Sequence, residues 1–183
     1  RILALADRLD TLVGFFGLGL IPTGSKDPFG LRRSALGVVR LLLDGGLGLG
    51  LESATRQSHF QLSALLKLNA DETWAKLKPF LEDRLRFLFE LRGFAHDEIE
   101  AALGAAGDPL GSLTALAERT RALHETRGRS EFLSVVHSFK RLSNILKDST
   151  GASEREPDGS ALQSAAEQDL LRAFADLKQE IES

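Results

Sequence analysis

Trp74-Ala75-Lys76-Leu77-Lys78-Pro79-Phe80-Leu81-Glu82-Asp83-Arg84-Leu85-Arg86-Phe87-Leu88-Phe89-Glu90-Leu91 is the stretch on which the fold turns. Trp74, Leu77, Leu81, Leu85, Leu88 and Phe89 recur at three- and four-residue intervals, which places them along one arc of a helix. Phe80, Phe87 and Leu91 widen the arc beyond that of an ordinary surface helix. The spacing therefore predicts a helix from Trp74 to Leu91 that is central to a core. Pro79 lacks the N–H that a helix interior needs, so it either kinks this helix or restarts it, and the sequence leaves both readings open.

Moving outward, Asn69-Ala70-Asp71 offers a break and a cap before this helix, and a further helix is expected around Gln57 to Leu66. The Gly45-Gly46-Leu47-Gly48-Leu49-Gly50 run reads as a connection, because so much backbone freedom penalises a regular element. Asp27-Pro28 is expected to start another helix, with the carboxylate as N-cap and proline in the first turn. The first helix runs from about Ile2 to Phe16. On the other side, Gly93 closes the central helix, a short helix spans about Asp97 to Leu103, and Gly107-Asp108-Pro109 announces one from about Leu110 to Leu123. A helix from Glu131 to Lys147 follows. The polar run 148–160 reads as a linker. Leu162, Ala166, Leu170, Phe174, Leu177 and Ile181 then mark a last amphipathic helix. Strand-like alternation is hard to find, so the expected fold class is all-α, a helical bundle.

With 43% hydrophobic residues among 183, the chain has enough apolar material for one sizeable core or two small ones. No run is long and apolar enough for a membrane span, and Asp7, Arg8 and Asp10 interrupt the apolar opening, which also argues against a secretory signal. A cytoplasmic location with no membrane partner is the expectation. The absence of cysteine excludes disulfides, thiol catalysis and thiolate zinc sites. The absence of methionine, with Arg1 close to a pattern already under way, reads as a piece of a longer protein. A net charge of −3 supplies no global basic field, so any contact with nucleic acid has to come from a local cluster.

Two segments carry a specific resemblance. Leu5-Ala6-Asp7-Arg8-Leu9-Asp10-Thr11-Leu12-Val13-Gly14-Phe15-Phe16-Gly17 is followed by Ile21-Pro22-Thr23-Gly24-Ser25-Lys26-Asp27-Pro28-Phe29-Gly30-Leu31-Arg32-Arg33-Ser34-Ala35-Leu36-Gly37. Together with Arg84-Leu85-Arg86, Gly93-Phe94 with Asp97 and Ile99, and the segment from Lys140 to Lys147, they resemble the bacterial glycyl-tRNA synthetase beta subunit family over nearly the whole chain. The resemblance implies the end of an HD-type helical region over 1–70. It further implies a helical body and a truncated anticodon-binding region over 71–183, similar to that of arginyl-tRNA synthetase and stopping short of the family's last helices. It also implies that tRNA(Gly) and the alpha subunit are partners, in an alpha2beta2 assembly. The class II site, with its ATP and Mg, belongs to the alpha subunit, so this chain should hold no cofactor, no metal and no catalytic residue.

Asp7 resembles the final aspartate of HD phosphohydrolases, but the histidines and second aspartate that would complete a metal site are not in this sequence. One carboxylate does not hold a working divalent ion, and a structural or capping role is the simpler reading. His96-Asp97 sits at a helix start, where aspartate is common. His59, His96, His124 and His137 show no ligand spacing and no neighbouring nucleophile. The glycine runs lack a preceding strand and a phosphate-loop ending, and read as turns.

The cations are more informative. Lys26, Arg32 and Arg33 flank the Asp27-Pro28 helix start, where exposed N–H groups would help hold a phosphate. The alternative is that an arginine pairs with a carboxylate and fixes packing. On the Glu131 to Lys147 helix, Phe132, Val135, Val136, Phe139, Leu142 and Leu146 should form the buried face. That leaves His137, Arg141 and Asn144 opposite, bordered by Lys140 and Lys147. Such a face suits RNA phosphates and base edges, or is an ordinary solvated surface. The functional expectation is a non-catalytic, tRNA-binding part of a glycine–tRNA ligase. Its rivals are a scaffold for subunit assembly and an HD phosphohydrolase. The last helix, with its packing partners missing after Ser183, is expected to fold back on its own bundle or to pair with a second copy of the chain.

Overall fold

The computed structural model describes residues 1–24, 26–147 and 164–182. Among these the chain forms α1 (Ile2–Gly17), α2 (Leu31–Gly45), α3 (Leu51–Leu62, continued by a 3-10 turn over Ser63–Leu65) and α4 (Ala70–Leu91), followed by α5 (His96–Gly104), α6 (Leu113–Thr126), α7 (Ser130–Leu146) and α8 (Ala165–Glu182). The described residues contain no named strand, so the all-α expectation holds. The chain divides into two compact units, Arg1–Ser134 and Val135–Ser183. Residues on both sides of position 70 share the first unit's core.

That core is built around α4. Its stripe of Trp74, Leu77, Leu81, Leu85, Leu88 and Phe89 is buried, as the spacing predicts, and α4 packs on α1, α2 and α3. Asn69 and Glu72 form a reciprocal capping box at its start: the Glu72 N–H donates to Asn69 Oδ1, and the Asn69 N–H donates to Glu72 Oε2. The choice left open at Pro79 resolves as a single helix that runs through the proline. Pro79 is exposed, so the Ala75 carbonyl that loses its partner lies on a side of the helix where water can replace it. Phe87 and Leu91 do not widen the buried arc. They are 48% and 64% exposed, and only Phe80 of the three flanking residues packs against the core.

Three helix starts differ from expectation, two for one reason. Asp27-Pro28-Phe29-Gly30 and Asp108-Pro109-Leu110-Gly111 are turns, closed by Gly30 N–H to the Asp27 carbonyl and Gly111 N–H to the Asp108 carbonyl, each at 3.2 Å. Aspartate at the first position, proline at the second and glycine at the fourth is the preferred composition of a type I turn. Gly30 has φ +64°, a conformation that glycine adopts at no steric cost. Hence α2 starts at Leu31 and α6 at Leu113, with Ser112 as its cap. α3 begins at Leu51, well before the expected Gln57, because Leu51 is fully buried and its N–H reaches the Leu110 carbonyl at 3.0 Å.

A buried carboxylate fastens α5 to the end of α6. Glu98, 3% exposed, accepts from the Ala95 N–H at 2.8 Å, Arg127 Nη1 at 2.8 Å and His124 Nδ1 at 3.0 Å. Burial pushes the Glu98 carboxyl up, but Arg127, the Ala95 N–H and His124 outweigh it and hold the group down at about 2. The Arg127 guanidinium also spans both oxygens of Asp97.

In the second unit the described side chains are largely exposed. The expected buried face of α7 is not buried: Val135, Val136, Phe139, Leu142 and Leu146 are exposed. Amphipathic spacing records that a helix has an apolar side, and burial additionally requires an element to cover it. On α8, Leu170, Phe174 and Leu177 are exposed as well. The expected linker at 148–160 lies outside the described residues.

Leu81→Ala should lower stability by about 2–5 kcal/mol, read by chemical denaturation, because it opens a cavity in a fully buried site. Glu98 has a depressed folded-state pKa, so its stabilisation is complete above about pH 4.5 and disappears as the pH falls toward 2. Glu98→Gln should therefore melt lower at pH 7, by about 1–3 kcal/mol, and show a shallower loss of stability between pH 4.5 and 2. Parallel melting curves for the two proteins across that range would contradict the assignment.

Candidate nucleic-acid interface

The eight residues singled out from the sequence fall into two sets, one in each compact unit. Lys26, Arg32 and Arg33 sit at the corner between α1 and α2. His137, Lys140, Arg141, Asn144 and Lys147 lie on and just beyond α7.

At the first corner the helix start is already occupied by a carboxylate. Asp27 Oδ1 accepts the Leu31 N–H at 2.8 Å and Oδ2 accepts the Arg32 N–H at 3.0 Å, so the turn that delays α2 also delivers its cap. The N–H groups expected to face a phosphate are therefore taken, and an anion there would have to displace Asp27. Arg32, half-buried, turns back along the loop and donates to the Gly24 and Lys26 carbonyls. This makes it a brace for the loop, through backbone carbonyls and not through the neighbouring carboxylate weighed above. Phe29 ties the turn to α1 through Phe15, with ring centroids 4.4 Å apart. Lys26 and Arg33 remain exposed, with no ion pair among the described residues.

On α7 all five polar residues are exposed. At about 100° per residue, His137, Lys140, Arg141, Asn144 and Lys147 fall within one third of the helix circumference. Lys147 Nζ donates to Asn144 Oδ1 at 3.3 Å. Lys140 and Arg141 have no acidic partner among the described residues, whereas Arg56, Arg86, Arg92 and Arg127 are each committed to carboxylates. An unpaired guanidinium and ammonium side by side, together with an amide and an imidazole, offer donors to a phosphodiester strand with no internal pair to break.

The remaining candidates lie elsewhere in the first unit. Asp7 is exposed, and its carbonyl accepts Thr11 Oγ1 at 2.8 Å. His59 Nε2 lies 2.9 Å from the Leu68 carbonyl. His124 belongs to the Glu98 clasp, and Asp97 receives Arg127. Among the described residues no three His, Asp or Glu side chains converge as metal ligands, and no helix is long and apolar enough to cross a membrane. Sequence reasoning missed Glu98 because glutamate in a first helical turn usually faces water. The available signal was Arg127, the cation that immediately follows the end of α6.

The comparisons with known proteins meet this geometry at its N-terminal part. The family model described as glycyl-tRNA synthetase beta subunit matches residues 1–104, which run from α1 through the end of α5. The chain belongs to the glycyl-tRNA synthetase beta subunit family. It is 39% identical over 180 residues to the glycine–tRNA ligase beta subunit of Geobacter sulfurreducens, covering 98% of this chain and 25% of that protein. Identity is 37% over 182 residues with the beta subunit from Desulforudis audaxviator, covering 100% of this chain and 26% of that protein. For Acinetobacter baylyi it is 38% over 177 residues, covering 96% and 24%. The chain thus spans about a quarter of the length of these glycyl-tRNA synthetase beta subunits, and the likeness continues past residue 104 through α6, α7 and α8.

Asp27→Ala should cost about 0.5–2 kcal/mol in chemical denaturation, because both carboxylate oxygens cap the start of α2. Arg33→Ala, at an exposed position without an ion pair, should change stability by less than about 0.5 kcal/mol. Equal losses for the two variants would remove the distinction between cap and free cation.

Proposed function

We propose that this chain is a tRNA-binding part of a glycine–tRNA ligase beta subunit and carries no catalytic residue of its own. The observation that supports this reading best is the pair Lys140 and Arg141, exposed on α7 and free of acidic partners among the described residues in a chain of this family. In a protein of net charge −3, cations left without internal partners are the groups available to phosphates. On this reading the whole enzyme joins glycine to tRNA(Gly) in the cytoplasm, and ATP and Mg are handled by the alpha subunit in an alpha2beta2 assembly. Residues 1–70 end an HD-type helical region, and residues 71–183 form a helical body with part of an anticodon-binding region. His137, Asn144 and Lys147 extend the contact along α7, and Lys26 and Arg33 are further phosphate contacts.

A second reading is favoured by the other side of the same helix. Val135, Phe139, Leu142 and Leu146 are exposed together on α7, and Leu170, Phe174 and Leu177 on α8. Large apolar faces of this kind are what a scaffold offers to another subunit or to a second copy of the chain. Salt separates the two readings, because neutralised phosphates release counterions and weaken binding steeply as salt rises, whereas apolar docking holds.

Lys140→Ala with Arg141→Ala in the whole enzyme should raise the KM for tRNA severalfold and leave ATP–pyrophosphate exchange unchanged, because phosphate contacts position the RNA away from adenylate chemistry. Unaltered tRNA kinetics in a folded double variant would leave α7 to the scaffold reading. The isolated chain should support no ATP–pyrophosphate exchange above background.

A further inference from the structure

Between α1 and α2 lies an open groove of about 470 Å³ whose lining includes Arg1, Arg8, Arg33 and Arg40, with Asp44 as its one acid. Its charge is opposite in sign to the chain's net charge of −3. Asp44 is already engaged by Arg92 at 2.6 Å. None of the four arginines has an ion pair or side-chain hydrogen bond among the described residues, and Arg8 Nε is buried without an acceptor. We propose that this groove is a phosphate-binding site, in which Arg8, Arg33 and Arg40 engage neighbouring phosphate groups of an RNA backbone.

Two helical stripes build the site. Arg33 and Arg40 are seven residues apart, two turns and roughly 10 Å along one side of α2, with Gly37 between them. Arg8 comes from α1 and lies across Gly37: a Cβ at that position would stand 2.9 Å from both Arg8 Cδ and Nε. The missing side chain is the space in which the Arg8 stem rests, and it brings a third guanidinium between the two on α2. Arg8 and Arg33 also line the adjoining recess, about 320 Å³, beside Pro28, Phe29 and Gly30, so the basic surface continues past the groove's end. Cations held close without counter-ions repel one another, and a polyanion laid along them relieves that repulsion through charge-assisted, bidentate contacts.

Free polyphosphate shares the chemistry of the RNA backbone. That the phosphates come from RNA rests on the tRNA-binding reading above, whereas the phosphate site itself does not. The test uses the full chain with two probes, a tRNA(Gly) transcript and inorganic tripolyphosphate, titrated at several salt concentrations. Arg33→Gln with Arg40→Gln, both at exposed positions, should weaken binding of the transcript by about tenfold or more and flatten the slope of log affinity against log salt by about 1.4–1.8. Gly37→Ala, which displaces Arg8 and leaves every charge in place, should weaken it severalfold with the melting temperature held. Lys140→Ala with Arg141→Ala should leave tripolyphosphate binding unaltered, so failure of the α7 reading and failure of this one are distinguishable. Loss of tripolyphosphate binding alone in the groove variants would keep the phosphate site and overturn its RNA source. Unchanged affinity and salt slope for both probes in the arginine double variant would overturn the proposal.

Discussion

Burial of one apolar stripe on α4 is the constraint from which the first unit follows. Leu77, Leu81, Leu85 and Phe89 are fully buried and need neighbours on several sides, which α1, α2 and α3 supply. Each of those helices must therefore turn its own apolar side inward, through Leu12 and Phe16, Val39 and Leu42, and Leu51. Their polar residues are left for the outside and for the crevices between helices. Burying large aliphatic side chains contributes about 1.5–3 kcal/mol each, far more than an exposed ion pair, typically below about 1 kcal/mol. The arrangement of charges is thus set by the packing, and arginines such as Arg8, Arg33 and Arg40 stand where the helix faces leave them.

The same hierarchy explains what was legible in the sequence. Spacing alone identified the six buried apolar residues of α4 but added the exposed Phe87 and Leu91 and passed over the buried Thr73, and Asn69 was readable as a cap before the helix, where it pairs with Glu72. The starts of α2 and α6 were misplaced because Asp-Pro was read as cap and first turn without the glycine two residues later. With that glycine included, both segments read as type I turns. The buried face expected on α7 exposes a deeper limit: spacing reports which side of a helix is apolar, while coverage depends on residues remote in sequence. At the candidate sites the polar side of α7 was visible from spacing, whereas the groove requires two helices to be brought side by side. Its trace in the sequence was the Arg33–Gly37–Arg40 stripe, unremarked because its third arginine comes from α1.

Family membership and surface chemistry carry different parts of the functional reading. The matched region, residues 1–104, holds the groove and the Asp27 cap, while the α7 cations lie beyond it. In the first unit many surface arginines are consumed by pairing: Arg56 with Glu52 and Asp71, Arg86 with Glu100, Arg92 with Asp44. A chain with a slight excess of acids can satisfy most of its cations internally, so those that remain unsatisfied and adjacent are informative in a way that total charge is not.

The Glu98 clasp also sets how far disorder can travel. Arg127 stands one residue past the end of α6 and three before the start of α7, and from there onward the described residues contribute no fully buried side chain. Local opening spreads cheaply through exposed helix and stops where buried contacts have to break. Fraying that enters along α7 would meet its first such contact at Arg127, whose release takes the guanidinium partner from the buried Glu98 carboxylate. Opening of α7, were it to occur, would therefore have to break the clasp before it could loosen the end of α6.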